Sequence, residues 1–359
     1  MDSKERVMLA MRREVPDRVP FDLCYGFVGA ARDNFLRHSG GATNHFDYFD
    51  LDVEYVEVLE PRAAFDYEGC YYRGRLPGDR GYLINSYGIM HEKTEGLHFT
   101  RIVPPLVDPT LEEVRNFPLP DYRDLDLYRE TGRKMAQIDS RGRCSALALG
   151  AETIFEVSWP LVGLENFLVL MLTEPEVCEA VFDRITGMRL WQLETYAKYG
   201  RYDVLWLGDD ISNQQGMLIP PDLWRRTLKP RLKAVIDCAK HYRPEGLIFY
   251  HTCGNPAEVV EDLIEVGVEI LNPVQPEAMD PAAVKARYGD RLSFWGTVGV
   301  QHTLPFGTRQ QVRDEVRERI ETVGRGGGLL IGPSHVIEPE VPWENILAFV
   351  EAVREFGEY

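Results

Sequence analysis

The sequence has little of several features that would assign it to large protein classes. Its 359 residues include only six cysteines without framework spacing, which argues against a disulfide-stabilised secreted protein. No apolar run approaches the roughly 18 residues of a membrane-spanning helix. Positive charge is scarce, with 40 Lys and Arg against 57 Asp and Glu, and the net charge of −17 argues against binding to nucleic acid. The charged N-terminus lacks the apolar centre of a signal peptide, so we expect a soluble, cytoplasmic protein.

Sequence signatures of two common catalytic mechanisms are also missing. There is no G-x-S-x-G motif, so nothing supports a nucleophilic serine. The kinase and P-loop signatures are absent as well, which leaves phosphoryl transfer without support. The chemistry must therefore come from other side chains.

What the chain does have is a repeated alternation of short apolar strands and helical segments. From Cys144 onward, strands are predicted at 145–150, 204–207, 247–250, 269–271, 292–295 and 328–331. Two more strands are predicted near Phe21 and Val53, which gives eight strand–helix units. This number favours an α/β fold of the (β/α)8 TIM-barrel type over an open doubly wound sheet.

Residues 26 to about 130 depart from this rhythm. Within them, 82–89 and 97–103 are predicted as the two arms of a β-hairpin, and a proline-rich stretch follows. We therefore predict a single barrel domain over 1–359, decorated by an N-terminal insertion that contains the hairpin. A small separate domain in this region is the alternative.

The segment around residue 251 concentrates the chemistry. His251 and Cys253 come at the end of the predicted strand 247–250, and side-chain alternation puts them on the same side of the chain. His335, in the loop after the last predicted strand, shares the same barrel rim and is predicted as a third ligand. Two histidines, one cysteine and an open fourth position are typical of a catalytic zinc site. For this set, a buried cysteine with histidines bonded to backbone groups is the alternative. Glu277 is predicted to complete the metal shell when substrate is absent; a loop carboxylate without a metal is the alternative.

Other polar residues follow predicted strands at the same rim. Asp209 and Asp210 come directly after one strand, and Glu152 follows another. We predict these three carboxylates as catalytic residues that orient the substrate or support the metal ligands. For the two aspartates, capping of the next helix is the alternative. Substrate binding is predicted for three further residues, Gln214, Gln275 and Tyr250.

Six motifs, spread along nearly the whole chain, resemble those of the uroporphyrinogen decarboxylase superfamily. They are Glu5-Arg6-Val7 with Pro16-Asp17-Arg18-Val19-Pro20, Leu161-Val162-Gly163-Leu164-Glu165-Asn166, Gly208-Asp209-Asp210, His251-x-Cys253-Gly254-Asn255, Pro305-Phe306-Gly307-Thr308, and Pro333-Ser334-His335 with Pro342-Trp343-Glu344-Asn345-Ile346. The resemblance implies a (β/α)8 barrel, in agreement with the strand count, and a homodimer.

Two branches of this superfamily differ in activity. The decarboxylases carry Arg-Gln-Ala-Gly-Arg after the first strand, and its arginines handle substrate carboxylates. Here residues 22–28 contain no arginine and the next one is Arg32, which counts against a decarboxylase. The other branch, zinc-dependent methyltransferases that work with a corrinoid protein, shares the motif of His251 and Cys253. Its third ligand is typically a second cysteine, at the position that His335 occupies here.

The resemblance therefore implies a zinc-dependent methyltransferase. Such an enzyme moves a methyl group between a heteroatom of a small molecule (an ether, amine or thiol) and the cobalt of a corrinoid cofactor. The corrinoid (cobalamin) would be carried by a partner protein, because the chain has no D-x-H-x-x-G motif. Two alternatives stay open: metal-free decarboxylation of a tetrapyrrole or another carboxylate, and a non-catalytic protein that binds a corrinoid partner.

Overall fold

Strands and helices alternate along the chain in a computed structural model, which describes residues 1–57, 59–61, 65–94, 99–149 and 152–359. The strands are β1 (Val53–Glu57), β2 (Tyr82–Ile84), β3 (Met90–Lys93), β4 (Thr100–Val103), β5 (Cys144–Ala148), β6 (Val204–Gly208), β7 (Ser212–Asn213), β8 (Gly216–Met217), β9 (Leu247–His251), β10 (Ile270–Asn272), β11 (Ser293–Trp295) and β12 (Leu329–Leu330). The α-helices are α1 (Ser3–Met11), α2 (Gly29–His38), α3 (His45–Phe49), α4 (Tyr67–Tyr71), α5 (Leu111–Asn116), α6 (Leu125–Asp139), α7 (Phe155–Ser158), α8 (Leu164–Thr173), α9 (Pro175–Tyr199), α10 (Pro221–Thr227), α11 (Lys229–Tyr242), α12 (Val260–Val266), α13 (Pro281–Tyr288), α14 (Thr303–Phe306), α15 (Arg309–Arg319) and α16 (Trp343–Phe356). A 3₁₀ helix covers Trp159–Leu161 and a π-helix covers Ile320–Gly324.

Within these residues, seven strands form one parallel sheet that curls on itself. Their order is β1-β5-β6-β9-β10-β11-β12, which follows the chain and leaves β2 to β4 out. Strands β5, β6, β10 and β11 are buried along their whole length, as expected for a parallel sheet covered by helices outside and side chains inside. The six strands predicted from Cys144 onward and the strand predicted at Val53 are therefore confirmed.

The eighth position of the barrel is filled by an extended segment and not by a regular strand. The Asp22 N–H donates to the carbonyl of Ile331 at 3.1 Å, and the Ile331 N–H donates to the carbonyl of Pro20 at 2.9 Å. On the other side, the Asp52 N–H donates to the carbonyl of Phe21 at 3.2 Å. Pro20 has no N–H to extend the ladder, so pairing stays short. These bonds join the two ends of the sheet and close the (β/α)8 barrel.

Side chains that alternate along the strands separate the barrel interior from the layer under the helices. Trp206, Phe249 and Trp295 belong to an interior cluster, in which the Trp206 and Phe249 rings stack with centroids 3.8 Å apart. Their neighbours Leu205 and Tyr250 belong instead to the larger cluster between sheet and helices. His251 continues the inward-facing series, so its imidazole reaches the mouth above this aromatic floor.

The segment between β1 and α6 carries an antiparallel sheet of order β2-β3-β4. The predicted hairpin is therefore correct in kind, but its arms are wrong: β2 pairs with β3, and β3 pairs with β4. The chain turns early because the Asn85 side chain accepts from the N–H groups of Tyr87 and Ile89, both at 3.0 Å, and Gly88 adopts φ 75°. Residues 97 and 98 of the predicted second arm lie outside the described residues.

The connection from β5 to β6 holds the longest helix, α9, and the most apolar one, α8. The fully buried Arg189 of α9 donates to the carbonyls of Thr153 and Glu152, at 3.1 and 2.9 Å, and so anchors the loop after β5.

In the described part of the chain, no single helix has the length and apolarity to cross a membrane. The required length and apolarity are met only by a pair of helical segments taken together, Phe155–Leu161 and Leu164–Thr173, and the chain bends by 99° between them.

Candidate metal centre

Three of the predicted ligands meet at the barrel mouth. One donor atom from each of His251, Cys253 and His335 lies within 4.8 Å of the other two. The Cys253 Sγ is 3.4 Å from the His251 Nε2, and the two imidazole rings are 6.2 Å apart between centroids. Residues up to 84 positions apart in the chain therefore present two nitrogens and one sulfur to a common point.

The His251 ring is held by an asparagine on the neighbouring strand. Its Nδ1 lies 2.6 Å from the Oδ1 of Asn272, which is fully buried and directly opposite His251 in the strand register. The Asn272 Nδ2 donates to the Trp295 carbonyl at 2.8 Å, so Oδ1 is left to accept from the Nδ1–H of His251. The lone pair of the imidazole therefore sits on Nε2, the atom that faces Cys253.

The loop that carries Cys253 is fixed by hydrogen bonds on both sides. The Cys253 N–H donates to the Asp210 carboxylate at 2.6 Å, and the Cys253 carbonyl accepts from the Ser212 Oγ at 2.6 Å. The next N–H, of Gly254, donates to the Gln275 Oε1 at 3.1 Å. Gly254 adopts φ +85°, and a Cβ there would lie 2.4 Å from the Asn213 carbonyl. The position of the thiol is thus set by the backbone and not by its own rotamer alone.

The third ligand comes from a loop that pairs with the N-terminal segment. The Ile337 N–H donates to the Gly26 carbonyl at 2.8 Å, and the Val28 N–H donates to the Ile337 carbonyl at 3.3 Å. Among the described residues, no hydrogen bond engages the His335 imidazole. Burial, with a further contribution from His251, lowers the pKa of His335 to about 4, so that the ring is neutral and has a free lone pair at pH 7.

This donor set fits a zinc ion. Two protein ligands on tetrahedral zinc lie about 3.5 Å apart, given Zn–N of about 2.0 Å and Zn–S of about 2.3 Å. The separation of 3.4 Å between Sγ and Nε2 agrees with this value. Burial, and then the Asp210 and Glu156 carboxylates, raise the pKa of the Cys253 thiol. A divalent cation among the three donors would reverse that preference and favour the thiolate.

The two predicted aspartates face different partners. Asp210 lies at the cluster, with its Oδ1 3.7 Å from the His251 Nε2. The fully buried Asp209 carboxylate instead accepts from the N–H groups of Ile154 and Glu156, at 3.0 and 2.9 Å. The Asp209 carboxylate therefore faces the start of α7, where otherwise unpaired N–H groups occupy both of its oxygens, and it does not lie at the cluster. The helix that it caps belongs to the preceding strand–helix unit and is not the next helix of the chain. Burial raises the pKa of Asp209 to about 7.

Glu156, which the sequence patterns did not single out, forms two hydrogen bonds that link the loop after β5 to the loop after β6. Its Oε2 accepts from the Asp210 N–H at 2.7 Å, while its own N–H donates to Asp209. Burial and then the Asp210 and Asp209 carboxylates raise the pKa of Glu156. The loops after β5 and β6 are thereby fastened together, and through Asp210 they are fastened to Cys253.

Several other predicted site residues lie away from the cluster. Tyr250 is buried in the layer under the helices, because it alternates with His251, so the structure does not bring it to the cluster. Glu277 is not one of the clustered residues, and its Oε1 accepts from the Gln301 N–H at 3.0 Å. Gln275 is buried and supports the Cys253 loop. Glu152 and Gln214 are exposed; Glu152 lies in the loop after β5 and Gln214 in the β7–β8 turn.

Asn272 is the main residue of this site that the sequence patterns did not single out. Its signal was present: it is a polar residue at the end of a predicted strand, next in order to the strand of His251. The second signal, a partner for the inner nitrogen of a ligand histidine, becomes visible only with the strand register.

Curated relatives of two activities match part of the chain. This chain is 25% identical over 207 residues to the methylcobamide:CoM methyltransferase MtaA of Methanosarcina barkeri. The aligned region covers 58% of this chain and 57% of that protein. It is 26% identical over 207 residues to the methylated-thiol–coenzyme M methyltransferase of Methanosarcina mazei, covering 56% and 51%. A uroporphyrinogen decarboxylase of Psychromonas ingrahamii is 24% identical over 184 residues, covering 51% and 50%. The chain thus spans about half the length of the curated relatives it matches.

A solved structure and a family match cover more of the molecule. A methyltransferase from Methanosarcina mazei superposes over 99% of both chains with a TM-score of 0.70 at 18% identity, which shows that the two share a fold. Residues 101–356 match the family described as uroporphyrinogen decarboxylase (URO-D). This match covers most of the chain and confirms the resemblance that the motifs indicated. The chain belongs to the URO-D family.

Proposed function

We propose that this protein is a zinc-dependent methyltransferase that works with a corrinoid protein. The observation that carries the proposal is the cluster of His251, Cys253 and His335 donor atoms within 4.8 Å at the barrel mouth. Two of the curated relatives are methyltransferases, and the name of one includes methylcobamide. The methyl group would pass between the heteroatom of an ether, amine or thiol and the cobalt of the partner's corrinoid.

Three protein ligands leave one position for the substrate heteroatom. His251 through Nε2, Cys253 through Sγ and the imidazole of His335 would hold the ion, which would act as a Lewis acid that makes the heteroatom a better leaving group or stabilises a thiolate. One thiolate with two neutral imidazoles places less negative charge on the site than two thiolates would, which suits polarisation of a substrate atom. Asp210 fixes Cys253 through its N–H, and Asn272 fixes the tautomer of His251.

The polar residues near the open fourth ligand position would orient the substrate. Asp210 is the nearest, at 3.7 Å from the His251 Nε2, and its carboxylate can accept from a donor on the substrate. Glu152 and Gln214 are exposed after the ends of β5 and β6 and would contact the distal part of a substrate. Gln275 acts indirectly, by holding the Gly254 N–H.

Metal content and methyl transfer, measured on the same preparations, test this function. Wild-type protein is expected to hold about one zinc per chain. It is also expected to accelerate methyl exchange between cobalamin, used as the corrinoid probe, and at least one compound from a series of ethers, amines and thiols. The His251→Ala variant is expected to lose both. Wild-type protein that holds no zinc after growth with zinc, with transfer unchanged in His251→Ala, would falsify the proposal.

The decarboxylase alternative is separated by its metal requirement. The decarboxylase relatives are about as similar as the methyltransferases, at 24% identity, so similarity does not decide between the two activities. Decarboxylation of a tetrapyrrole acid that survives metal chelation would favour the lyase. The non-catalytic alternative predicts binding of a corrinoid protein without turnover of any methyl donor.

The Asn272→Ala variant should weaken zinc binding without removing a ligand. It frees the His251 ring to rotate and to place its proton on Nε2, where the lone pair is needed. Loss of such a partner typically costs about 10- to 100-fold in metal affinity. Competition with a chromophoric chelator measures the effect, and Asn85→Ala, in the β2–β3 turn, serves as the control for asparagine removal elsewhere. An unchanged zinc affinity in Asn272→Ala would show that the hydrogen bond has no such role.

A further inference from the structure

A cavity of about 390 Å³ opens beside the N-terminal segment of the barrel, and none of the three clustered ligands lines it. The residues that line it are Tyr25, Phe27, Arg32, Phe35, Thr43, Asn44, His45, Phe46 and Glu54. Its volume lies within the usual range of small-molecule sites, about 300–1,000 Å³. The proposed reaction assigns no role to any of these residues, although one of them, Tyr25, also borders the barrel interior.

The walls of the cavity are aromatic and hold one another in place. The rings of Phe27 and Phe35 stack at 5.0 Å with an interplanar angle of 9°, and His45 meets Phe27 edge-on at 5.6 Å. The His45 ring also packs on Phe46 at 4.0 Å. Such walls contact a planar ring over much of its surface, in stacked and edge-to-face arrangements.

The charge balance of the cavity is positive, in a chain with a net charge of −17. The Glu54 carboxylate is paired with Arg141 at 2.6 Å and Arg143 at 3.2 Å. Burial, followed by the nearby Arg32 charge, lowers the pKa of His45 to about 4, so its ring is neutral at pH 7. Arg32 is exposed, and within the described ranges no carboxylate forms an ion pair with it. One guanidinium is thus left for an anion at the edge of the cavity.

Tyr25 connects this cavity to the barrel interior. Its ring lies 4.3 Å from that of Trp206, which in turn stacks beside the His251 ring at 5.9 Å. The buried Tyr25 hydroxyl has no hydrogen-bond partner among the described residues. A ligand that enters the cavity could therefore use a donor that the protein leaves unsatisfied.

We propose that this cavity binds a planar aromatic carboxylate, with its ring between the aromatic walls and its carboxylate on Arg32. The binding does not depend on zinc or on the proposed methyl transfer, since none of the lining residues is a clustered ligand. The aromatic walls require a ring, and the free guanidinium requires a negative charge. A neutral ring and a small carboxylate each meet only one of these requirements.

Titration of the full-length protein with 2-naphthoate tests this site, with 2-naphthalenemethanol as the neutral ring and acetate as the ringless carboxylate. Only 2-naphthoate is expected to saturate one site per chain, with equal affinity in zinc-loaded and chelator-treated protein. Arg32→Ala should weaken it about tenfold or more, the effect of losing a charge-assisted hydrogen bond. Arg37→Ala, an exposed arginine of the same helix α2 that does not line the cavity, should leave it unchanged.

A second variant locates the ligand without disturbing the core. Thr43 is exposed at the cavity and outside every helix and strand, so Thr43→Trp should fill the space, keep the fold and abolish binding. The proposal fails if wild-type protein does not bind 2-naphthoate, if Arg32→Ala and Arg37→Ala bind it equally, or if Thr43→Trp binds it normally. Binding only in the zinc-loaded form would also overturn it, because the ligand would then sit at the metal. None of these results decides whether methyl transfer occurs.

Discussion

The Cys253→Ala protein is expected to fold normally and to lose tightly bound zinc together with methyl transfer. Cys253 is only half-buried, and its thiol contacts the His251 Nε2, so the substitution removes little packing. It does remove the single anionic donor of the cluster. Four-ligand zinc sites bind with about 10–16 kcal/mol, so one ligand contributes roughly 3 kcal/mol or more, which corresponds to about a hundredfold in affinity. Chelator competition and circular dichroism measure affinity and fold on the same samples.

An exposed cysteine elsewhere provides the matched control. Cys70, on α4, is exposed, and its removal should change neither zinc affinity nor transfer. If Cys253→Ala and Cys70→Ala keep the same stoichiometric zinc, the metal is held by other residues and the proposed mechanism is wrong. If zinc stays in Cys253→Ala while transfer is lost, the thiol acts on the substrate and not as a ligand.

Strand alternation explains where the structure places three of the predicted site residues. It puts His251 and Cys253 on one side of the chain, and the structure brings both to the mouth. The same period sends Tyr250 to the outer layer, so the rule that located its neighbours also separates it from the cluster. Position at the end of a strand alone was a poor guide, because it says nothing about which face a residue occupies.

Features that depend on pairing between distant segments were out of reach of the sequence. His335 reaches the cluster because its loop pairs with Gly26 and Val28, more than 300 residues earlier. The Asp209 carboxylate accepts from the Glu156 N–H at the start of α7, and the Glu156 carboxylate accepts in return from the Asp210 N–H. A linear pattern shows that such polar residues end strands, but their hydrogen-bond partners follow from loop geometry.

The closure of the barrel, where the two ends of the sheet meet, gives a structural meaning to the first motif of the sequence, which comprises Glu5-Arg6-Val7 and Pro16-Asp17-Arg18-Val19-Pro20. Arg6 of the first motif binds the Asp17 carboxylate through two nitrogens, at 2.6 and 2.8 Å, and lowers the pKa of that group to about 2. Arg6 and Arg18 then converge on Asp52, each with a contact of 2.8 Å. Asp52 directly precedes β1, so these arginines contribute to barrel closure and say nothing about the reaction.

Replacing Asp52 with alanine is expected to cost about 3–5 kcal/mol in the free energy of unfolding. Its fully buried carboxylate accepts from Arg6, from Arg18 and from the N–H of Phe21 at 3.0 Å. Removal leaves two guanidinium groups and one N–H without that acceptor, at the point where the two ends of the sheet meet. Urea unfolding followed by tryptophan fluorescence measures the shift, because Trp206 and Trp295 lie in the barrel interior.

Two companion variants separate this explanation from a general effect of losing a carboxylate. Asp33→Ala removes an exposed carboxylate on α2 and should change stability by less than about 0.5 kcal/mol. Asp52→Asn keeps an acceptor of similar shape but loses the charge, so its midpoint should fall between those of Asp52→Ala and the wild type. If Asp52→Ala unfolds at the wild-type urea concentration, the two ends of the sheet are held by the backbone hydrogen bonds alone, and Arg6 and Arg18 do not contribute to closure through Asp52. A large loss in Asp52→Ala with zinc affinity preserved at low urea would instead show that the base of the barrel and its mouth contribute separately, one to closure and the other to the metal centre.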